Sequence, residues 1–328
     1  MTKKLKKSEL KRVMVTGATT PIGERLCRSL LADDRVGHVL AIGPDSGAEE
    51  MPFSHDDRLT YRQFDLSRNR HVRQMLFGIA KDLKIEVIMH ISMHRSMTAK
   101  GSRVHALNVD SLRSMIDLSG RHPTIKRLVL KSDVAVYQVQ RDLPVLITES
   151  HPLNMGGGAP QWVRDRVEAD VLACTHMGLS PLEITVLRTA EVLAPGTGSQ
   201  LLDFLASPVC FRPLGYDPML NLLSLNDAVR ALEMACFAKQ STTIVNIPGA
   251  DTLPLSSCIE RWGRVSVPLP GFALAPLYKA RQRLRGTEFS YGANRRRFHY
   301  ASVPDGSRAA EQFGYLPEHP IHWPTPLS

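Results

Sequence analysis

The most restrictive feature of this sequence is an alternation, over its first two-thirds, of short apolar runs with longer amphipathic runs. Short apolar runs bounded by turn residues predict buried strands, and the longer runs predict helices. Strands are predicted at Arg12–Thr16, His38–Ile42, Leu59–Phe64, Val87–Ile91, Arg127–Lys131 and Glu183–Arg188, and helices at Pro21–Ala32, Arg70–Asp82, His105–Arg121 and Pro160–Met177. This order predicts an α/β fold with a doubly wound parallel sheet that binds ligands at the carboxyl ends of its strands.

The regular alternation weakens after Arg188. A helix is predicted over Asn226–Ala238, with Asn226 or Asp227 as its N-cap, and a strand over Thr243–Ile247. The predicted organisation is a basic tail (1–11), a Rossmann-like dinucleotide-binding domain (12–188) and a smaller C-terminal lobe (189–328), some segments of which return to the main sheet. A substrate cleft is expected between the domain and the lobe.

Charge and cysteine content narrow the functional class. The 328 residues carry a net charge of +9, and no apolar run reaches the roughly 20 residues that span a bilayer. The five cysteines are dispersed without a CxxC pair, which favours buried thiols over disulfides or a metal site. We therefore expect a cytoplasmic protein without a metal, with peripheral attachment to a membrane as an alternative.

A glycine-containing turn joins the first predicted strand to the first helix. It reads Thr16-Gly17-Ala18-Thr19-Thr20-Pro21-Ile22-Gly23. A turn of this kind directs backbone N–H groups and a helix N-terminus at a pyrophosphate. The residues predicted to bind a dinucleotide here are Thr16, Gly17, Thr19, Thr20, Pro21, Ile22 and Gly23. The alternative is an empty structural turn.

Two departures from the dinucleotide fingerprint leave the choice between NAD and NADP open. Thr20 replaces the middle glycine and adds a side chain where the backbone approaches phosphate. Gly43 stands where an acidic residue binds the ribose hydroxyls, Asp45 comes two residues later, and no neighbouring Arg or Lys is placed for a 2′-phosphate.

Several further motifs follow in a fixed order. They are Phe64-Asp65-Leu66, Val87-Ile88-Met89-His90-Ile91-Ser92, Asn108-Val109-Asp110, Val134-Ala135-Val136-Tyr137, Thr148-Glu149-Ser150-His151-Pro152, Val186-Leu187-Arg188 and the segment Leu222–Ala231. With the turn, they make residues 12–250 resemble the extended short-chain dehydrogenase/reductase family, also called the NAD-dependent epimerase/dehydratase family. The resemblance implies that Asp65 and Leu66 flank the adenine, that His90, Ile91 and Ser92 line the dinucleotide, and that Asn108 shapes the site. Strand-end caps or core residues are the alternative interpretation of these positions.

The catalytic positions of that family are replaced in this chain. The family uses a Ser or Thr, a Tyr, and a Lys four residues after the Tyr, so that the last two share one helix face. By position, Asp133 replaces the hydroxyl residue, Trp162 the Tyr and Arg166 the Lys. An indole donates a hydrogen bond but exchanges no proton near neutral pH, and a guanidinium stays protonated. The standard hydride-transfer chemistry is therefore not expected.

Other groups near these positions offer two interpretations. Tyr137 is a possible substitute acid–base group, with His90, His94 and Asp133 as the other titratable candidates. Alternatively, Asp133 and Arg166 form an ion pair that closes the old active site. Ser132 is one residue from the required position and is expected to face the other side of its strand.

Three hypotheses follow for function. The first is an NAD- or NADP-binding pseudoenzyme with a regulatory or scaffold role. The choice between the two cofactors is open, and so is the alternative that no cofactor binds. The second is an atypical oxidoreductase or epimerase acting on a sugar nucleotide or a lipid-like alcohol. The third is a module that binds nucleic acid or an anionic membrane surface through the lysine-rich start and the basic stretch Lys279–Arg297. In the simplest interpretation, that stretch packs its apolar side on the lobe and leaves its charges in water. A homodimer is possible in each case.

Overall fold

A computed structural model describes residues 10–45, 55–239 and 242–324. Its strands are β1 Lys11–Thr16, β2 Val36–Gly43, β3 Leu59–Gln63, β4 Val87–His90, β5 Arg127–Asp133, β6 Leu146–Ile147, β7 Glu183–Thr189, β8 Glu191–Val192, β9 Val209–Pro213, β10 Met219–Leu223, β11 Thr243–Ile247, β12 Asp251–Pro254, β13 Val265–Leu269 and β14 Val303–Pro304. Its α-helices are α1 Pro21–Ala32, α2 Asn69–Met75, α3 Ser102–His105, α4 Ser111–Ser119, α5 Gln161–Thr175, α6 Gln200–Leu205, α7 Leu225–Phe237, α8 Leu255–Arg261, α9 Gly271–Arg285, α10 Tyr291–Asn294 and α11 Ser307–Phe313.

Seven strands form one parallel sheet in the order β11-β7-β5-β4-β1-β2-β3. The order reverses between β1 and β4, which is the switch point where doubly wound sheets bind ligands. One apolar cluster lies on the α1 and α7 side of the sheet, and another on the α2, α4 and α5 side. The predicted α/β doubly wound fold is confirmed.

The C-terminal part supplies the edge strand β11 of the main sheet and every strand of three small sheets except β6. β11 pairs with β7, as expected for a segment that returns to the main sheet. The small sheets are β12-β10-β8, β13-β9 and β14-β6, and strands β9, β10, β12 and β13 contribute residues to a separate aromatic core. The domain boundary near residue 188 stays a prediction. Of the predicted basic tail 1–11, residues 1–9 lie outside the described residues, and Lys11 begins β1.

Three local predictions are wrong in detail. The helix predicted over Arg70–Asp82 changes to a π-helical turn at Leu76–Ala80, where Gly78 adopts non-helical angles that its lack of a Cβ allows. The helix predicted over His105–Arg121 similarly contains a π-helical turn at residues 106–110 and ends before Gly120. Helix α7 is capped by Ser224 instead of Asn226 or Asp227, because the buried Asp227 carboxylate accepts hydrogen bonds from the Glu318 and His319 amides.

Candidate functional site

The turn between β1 and α1 needs both of its glycines. Gly17 has φ +72°, and a Cβ there would lie 3.1 Å from the Cα of Ser92 on the neighbouring strand end. A Cβ at Gly23 would lie 2.1 Å from the Gly17 carbonyl oxygen. The first helical turn therefore packs directly against the loop, which is the geometry that brings a helix N-terminus close to a bound phosphate.

Thr20, the departure in the middle of the fingerprint, is turned back into the loop. Its hydroxyl donates to the Gly17 carbonyl at 2.7 Å and accepts from the Gly23 N–H at 3.1 Å, so that Thr20 is the N-cap of α1. Pro21 follows at the first helical position and has no N–H. The loop is thus rigid, and the amide of Ile22 is the first N–H that the helix turn offers to an anion.

The end of β2 has no space for an acidic side chain. A Cβ at Gly43 would lie 2.6 Å from the Tyr61 hydroxyl and 2.8 Å from Cγ2 of Thr19. The Tyr61 hydroxyl donates to the Asp45 carbonyl at 2.7 Å. Tyr61 therefore occupies the position where a ribose-binding carboxylate would project, which explains the glycine that the sequence shows there.

An outer groove of about 610 Å³ runs along this edge of the sheet. It brings together Gly17, Thr19, Thr20 and Ser92 from the predicted dinucleotide set. Pro21, Ile22 and Ile91 line a smaller cavity of about 40 Å³ further in. These seven residues are where the resemblance places a dinucleotide.

The remaining residues of the predicted set lie beneath or beside the groove. Thr16 and His90 are buried and share a 2.9 Å hydrogen bond, and burial lowers the pKa of His90 to about 4, so the ring is neutral. Leu66 is buried in the core. The Asp65 carboxylate forms an ion pair with Arg103 at 3.0 Å. Its pKa lies below its ordinary value because hydrogen bonds from Ser67 and the Arg103 charge outweigh the opposing effect of partial burial.

Residues 94–96, which we call the strap, cross the inner end of the outer groove. Asn108 accepts a 2.7 Å hydrogen bond from the His94 N–H. The Arg95 guanidinium donates to the carbonyl of Gly196 on the opposite wall. A Cβ at Gly198 would lie 2.8 Å from the Arg95 carbonyl oxygen, so the two walls approach closely here. The strap and Gly196 thus separate the outer groove from the space further in.

A second set of contacts joins the strap to the C-terminal part. The Glu288 carboxylate accepts hydrogen bonds from Ser96 at 2.5 Å and from the adjacent Thr98 at 2.9 Å. Asp203 lines the same end of the groove, and burial, with the nearby Glu288 and Glu191 charges, raises its pKa to about 6. Carboxylates therefore lie close to the strap on the lobe side of the groove.

The residues at the replaced catalytic positions hold the strap in place. Trp162 and Arg166 are both 8% exposed, and the Arg166 guanidinium lies 3.5 Å from the centre of the indole ring. The Trp162 indole N–H donates to the Arg95 carbonyl at 3.3 Å. Arg166 donates to the His94 carbonyl at 3.4 Å and to the Trp162 carbonyl at 3.1 Å.

The proposed ion pair between Asp133 and Arg166 is wrong: neither of these described residues has the other as an ion-pair partner. The Asp133 carboxylate accepts from the Ala135 N–H at 2.8 Å and caps the 3₁₀ turn Val134–Val136. Burial lowers the pKa of Arg166 to about 10, and the more distant Asp133 and Asp165 charges oppose that shift. The guanidinium remains charged and stacks on Trp162 instead.

Tyr137 is poorly placed to replace the missing proton donor. Its buried hydroxyl donates to Asn246 at 2.7 Å and accepts from Arg188 at 2.9 Å. Burial raises the pKa of Tyr137 to about 12. Both the donor and the acceptor capacity of the hydroxyl are therefore used within the protein.

Ser132 faces the opposite side of β5 from Lys131 and Asp133, as strand geometry requires. Its hydroxyl donates to Asp170 at 2.5 Å, and Asp170 pairs with Arg188 at 2.6 Å. This buried network is where Ser132 acts, away from the old catalytic position.

Behind the strap lies an inner cavity of about 150 Å³. Its charged lining residues are Lys131, Asp133, Arg166, Glu191, Arg296 and Arg297. Lys131 was not singled out in the sequence, although a lysine within an otherwise apolar buried strand is an available signal. Arg297 forms an ion pair with Glu191, and the exposed Arg296 also lines this cavity.

The rest of the basic stretch follows its simplest interpretation only in part, because Phe272 and Leu284 of α9 are 85% and 84% exposed and the partly buried Arg281 donates to the Val209 carbonyl. Helix α9 buries Leu274 and Tyr278 and leaves Lys279 and Arg283 exposed. Binding of nucleic acid or a membrane surface stays a prediction. In the described ranges, no helix has the length and apolar character needed to traverse a bilayer, and no three His, Cys, Asp or Glu side chains come together in a metal-binding arrangement.

The sheet order, the glycine turn and the groove at the switch point define a Rossmann-type nucleotide-binding fold. No protein-family model matches the chain. Uncharacterized proteins of Mycobacterium tuberculosis and Mycobacterium bovis are 29% identical over 315 residues, which cover 94% of this chain and 80% of each relative.

Solved structures with the same fold include dTDP-glucose dehydratases and a UDP-glucuronic acid epimerase. A dTDP-glucose 4,6-dehydratase from Streptomyces venezuelae has a TM-score of 0.71 at 17% identity, with 94% of this chain and 93% of that chain covered. The corresponding enzyme from Bacillus anthracis has a TM-score of 0.69 at 15% identity, with 94% of this chain and 92% of that chain covered. A UDP-glucuronic acid 4-epimerase from Bacillus cereus gives 0.66 at 16%, covering 94% of both chains. The chain therefore has the extended short-chain dehydrogenase/reductase, or epimerase/dehydratase, fold.

Proposed function

We propose that this protein binds an adenine dinucleotide in the outer groove and does not perform the hydride transfer typical of its fold, so that its role is regulatory or structural. The glycine turn and the N-terminus of α1 are shaped for a pyrophosphate. The dehydratase and epimerase structures named above were determined with NAD. NAD and NADP both remain candidates because the end of β2 carries neither an acid nor a basic residue for the ribose.

The observation that carries the proposal is the use made of Trp162 and Arg166. Each donates a hydrogen bond to a strap carbonyl, and Arg95 connects the strap to Gly196 on the other wall. A nicotinamide ring reaching the inner cavity would have to break these contacts. Neither an indole nor a guanidinium then relays a proton to a carbonyl, and removing a general acid–base alone costs about 10² to 10⁴ in rate.

Calorimetric titration with ADP, NAD and NADP tests this proposal. If the strap excludes the nicotinamide half, NAD makes no contacts that ADP lacks. The dissociation constants of ADP and NAD should then agree within about threefold, which is less than the 1.4 kcal/mol that corresponds to a factor of ten. Arg95→Ala removes the contact with Gly196 and should strengthen NAD relative to ADP. Arg28→Met, which changes an exposed arginine on α1, serves as the matched control.

Three results would overturn the proposal. The first is binding of NAD more than about tenfold tighter than ADP by the wild-type protein, because that difference requires contacts for the nicotinamide half. The second is consumption of NADH with a carbonyl compound that stops when Asp133 or Trp162 is changed. The third is absence of binding by all three nucleotides, which would remove the dinucleotide site and leave only a scaffold role.

A sugar nucleotide is the second candidate ligand. The Bacillus cereus epimerase has been solved with UDP-glucuronic acid and NAD, and in this chain Arg296 lies at the inner cavity where it can meet an anionic group. Titration with UDP-glucose and dTDP-glucose, alone and with NAD, tests this candidate. Turnover of either sugar nucleotide would favour the atypical epimerase or oxidoreductase over a non-catalytic role.

A further inference from the structure

The inner cavity carries more positive than negative charge. Glu191 is already neutralised by Arg297, and its other carboxylate oxygen accepts from Ser199 at 2.6 Å and from the Leu201 N–H at 2.7 Å. Lys131, Arg166 and Arg296 then face the cavity with Asp133 as the one further charged group of opposite sign among its described lining residues. This excess of positive charge favours an anionic ligand.

Lys131 is the central group of this arrangement. Strand geometry directs it to the same face as Asp133, and its ammonium donates to the Ser132 carbonyl at 3.4 Å. Burial and the Arg166 charge lower the pKa of Lys131, and Asp133 opposes that shift. No ion pair joins Lys131 to any carboxylate in the described part of the chain. Lys131 is half-buried, and a partly desolvated ammonium with one long hydrogen bond gains from an anion in the cavity.

Arg166 provides a second, oriented cation. Stacking on Trp162 fixes the plane of its guanidinium, and its two bonds to carbonyls use two of its five N–H donors. The plane is therefore set before a ligand arrives, and a planar fork with donors to spare matches the oxygen atoms of a carboxylate or phosphate.

The volume of the cavity limits the ligand to a small one. A cavity of about 150 Å³ holds a molecule the size of benzene, whereas drug-sized ligands occupy roughly 300–1,000 Å³. An intact dinucleotide or sugar nucleotide is too large to lie wholly behind the strap, where only a small terminal group of such a ligand has room.

We propose that the inner cavity is a binding site for a small oxyanion, a carboxylate or phosphate monoester, held by Lys131 and Arg166 with Arg296 at the rim. This site is separate from the dinucleotide groove and goes beyond the function proposed above. It also gives Asp133 and Arg166, two of the three substituted residues, opposite and measurable effects on one ligand.

The test uses the full chain titrated with inorganic phosphate and, separately, with pyruvate, followed by calorimetry and by tryptophan fluorescence. We expect saturable binding of at least one anion, with Trp162 as the reporter, so that the fluorescence change is lost in Trp162→Phe and kept in Trp262→Phe. Preference for phosphate or for pyruvate then identifies which oxyanion the site takes.

Charge-changing variants make the proposal specific. Lys131→Met should weaken the anion at least tenfold, Lys131→Arg should retain it, and Asp133→Asn should strengthen it several-fold by removing the opposing charge. Lys126→Met, which changes a lysine whose side chain is 72% exposed, is the matched control and should bind as the wild type does.

Binding of neither anion, or equal binding by wild type and Lys131→Met, would overturn the oxyanion site. Titration of Lys131→Met with ADP separates this failure from failure of the dinucleotide proposal, because the outer groove does not include Lys131 among its described lining residues. A folded variant that binds ADP but no anion supports two independent sites.

Discussion

Replacement of Arg188 by methionine tests the buried network beneath the site. The Arg188 and Asp170 side chains are 4% and 0% exposed, and two N–H groups of the arginine bond to the Asp170 carboxylate at 2.6 and 3.1 Å. A third group bonds to the Tyr137 hydroxyl and the Glu149 carbonyl at 2.9 and 3.0 Å. Methionine has similar length but no donor, so the Asp170 charge stays buried without a cation. Breaking one side of such a pair costs about 3–5 kcal/mol.

Urea unfolding followed by circular dichroism measures this loss. Because single domains are stable by only about 5–15 kcal/mol, the unfolding midpoint of Arg188→Met should fall by at least about a fifth of the wild-type value. The double variant Asp170→Leu/Arg188→Met should recover much of the stability, since replacing both charges with apolar groups removes the stranded one. Arg28→Met, in an exposed pair with Glu24 at 3.3 Å, should cost about 0.3–0.5 kcal/mol.

Two outcomes would refute this reasoning. A loss below about 1 kcal/mol in Arg188→Met would mean that water or another cation reaches Asp170, contrary to the burial described above. A double variant as unstable as the sum of the two single ones would mean that the charges do not depend on each other.

Two further predictions concern the base of the groove and the glycine turn. Burial lowers the pKa of His90 from 6.5 to about 4, so the stability that the neutral ring provides is fully present above pH 6.5, and about 3 kcal/mol of it is lost as the pH falls from 6.5 to 4. Urea titrations should show that the free energy of unfolding falls more steeply with decreasing pH in the wild type than in His90→Gln, and parallel curves would contradict the assignment. Gly23→Ala places a Cβ 2.1 Å from the Gly17 carbonyl oxygen, so it should destabilise the protein by about 1–3 kcal/mol and abolish ADP binding. Gly292→Ala is the control: the added Cβ would meet no neighbouring atom within 4 Å, and ADP binding should be unchanged.

The sheet and the positions around the glycine turn were predictable from the sequence. Short apolar runs such as Val87–Ile91 are typical of fully buried strands. The glycine turn has a motif that predicts a strand before it and a helix after it. Helix α1 over Pro21–Ala32 and strand β11 over Thr243–Ile247 have the predicted bounds. The helix interruption at Gly78 was not predictable, because the apolar pattern continues through it.

Side-chain contacts between residues far apart in the sequence could not be predicted from the sequence pattern. Asp133 and Arg166 carry opposite charges at the replaced catalytic positions, which favoured an ion pair, yet Arg166 stacks on Trp162 four residues earlier. The position of Tyr137 favoured a role in catalysis, but its hydroxyl donates a hydrogen bond to Asn246, 109 positions away in the sequence. Which of several possible partners a polar group takes depends on packing, which no local spacing records.

The strap has a consequence for any attempt to reinstate a dehydrogenase by substitution. Putting Tyr at 162 and Lys at 166 would restore two of the three missing side chains and, in the same step, remove the stacked guanidinium and the indole donor that keep residues 94–96 in position. An engineer would therefore meet two coupled problems, a reactive pair to install and a passage to open. Arg95 and the Gly196 wall would have to be redesigned together with the helix.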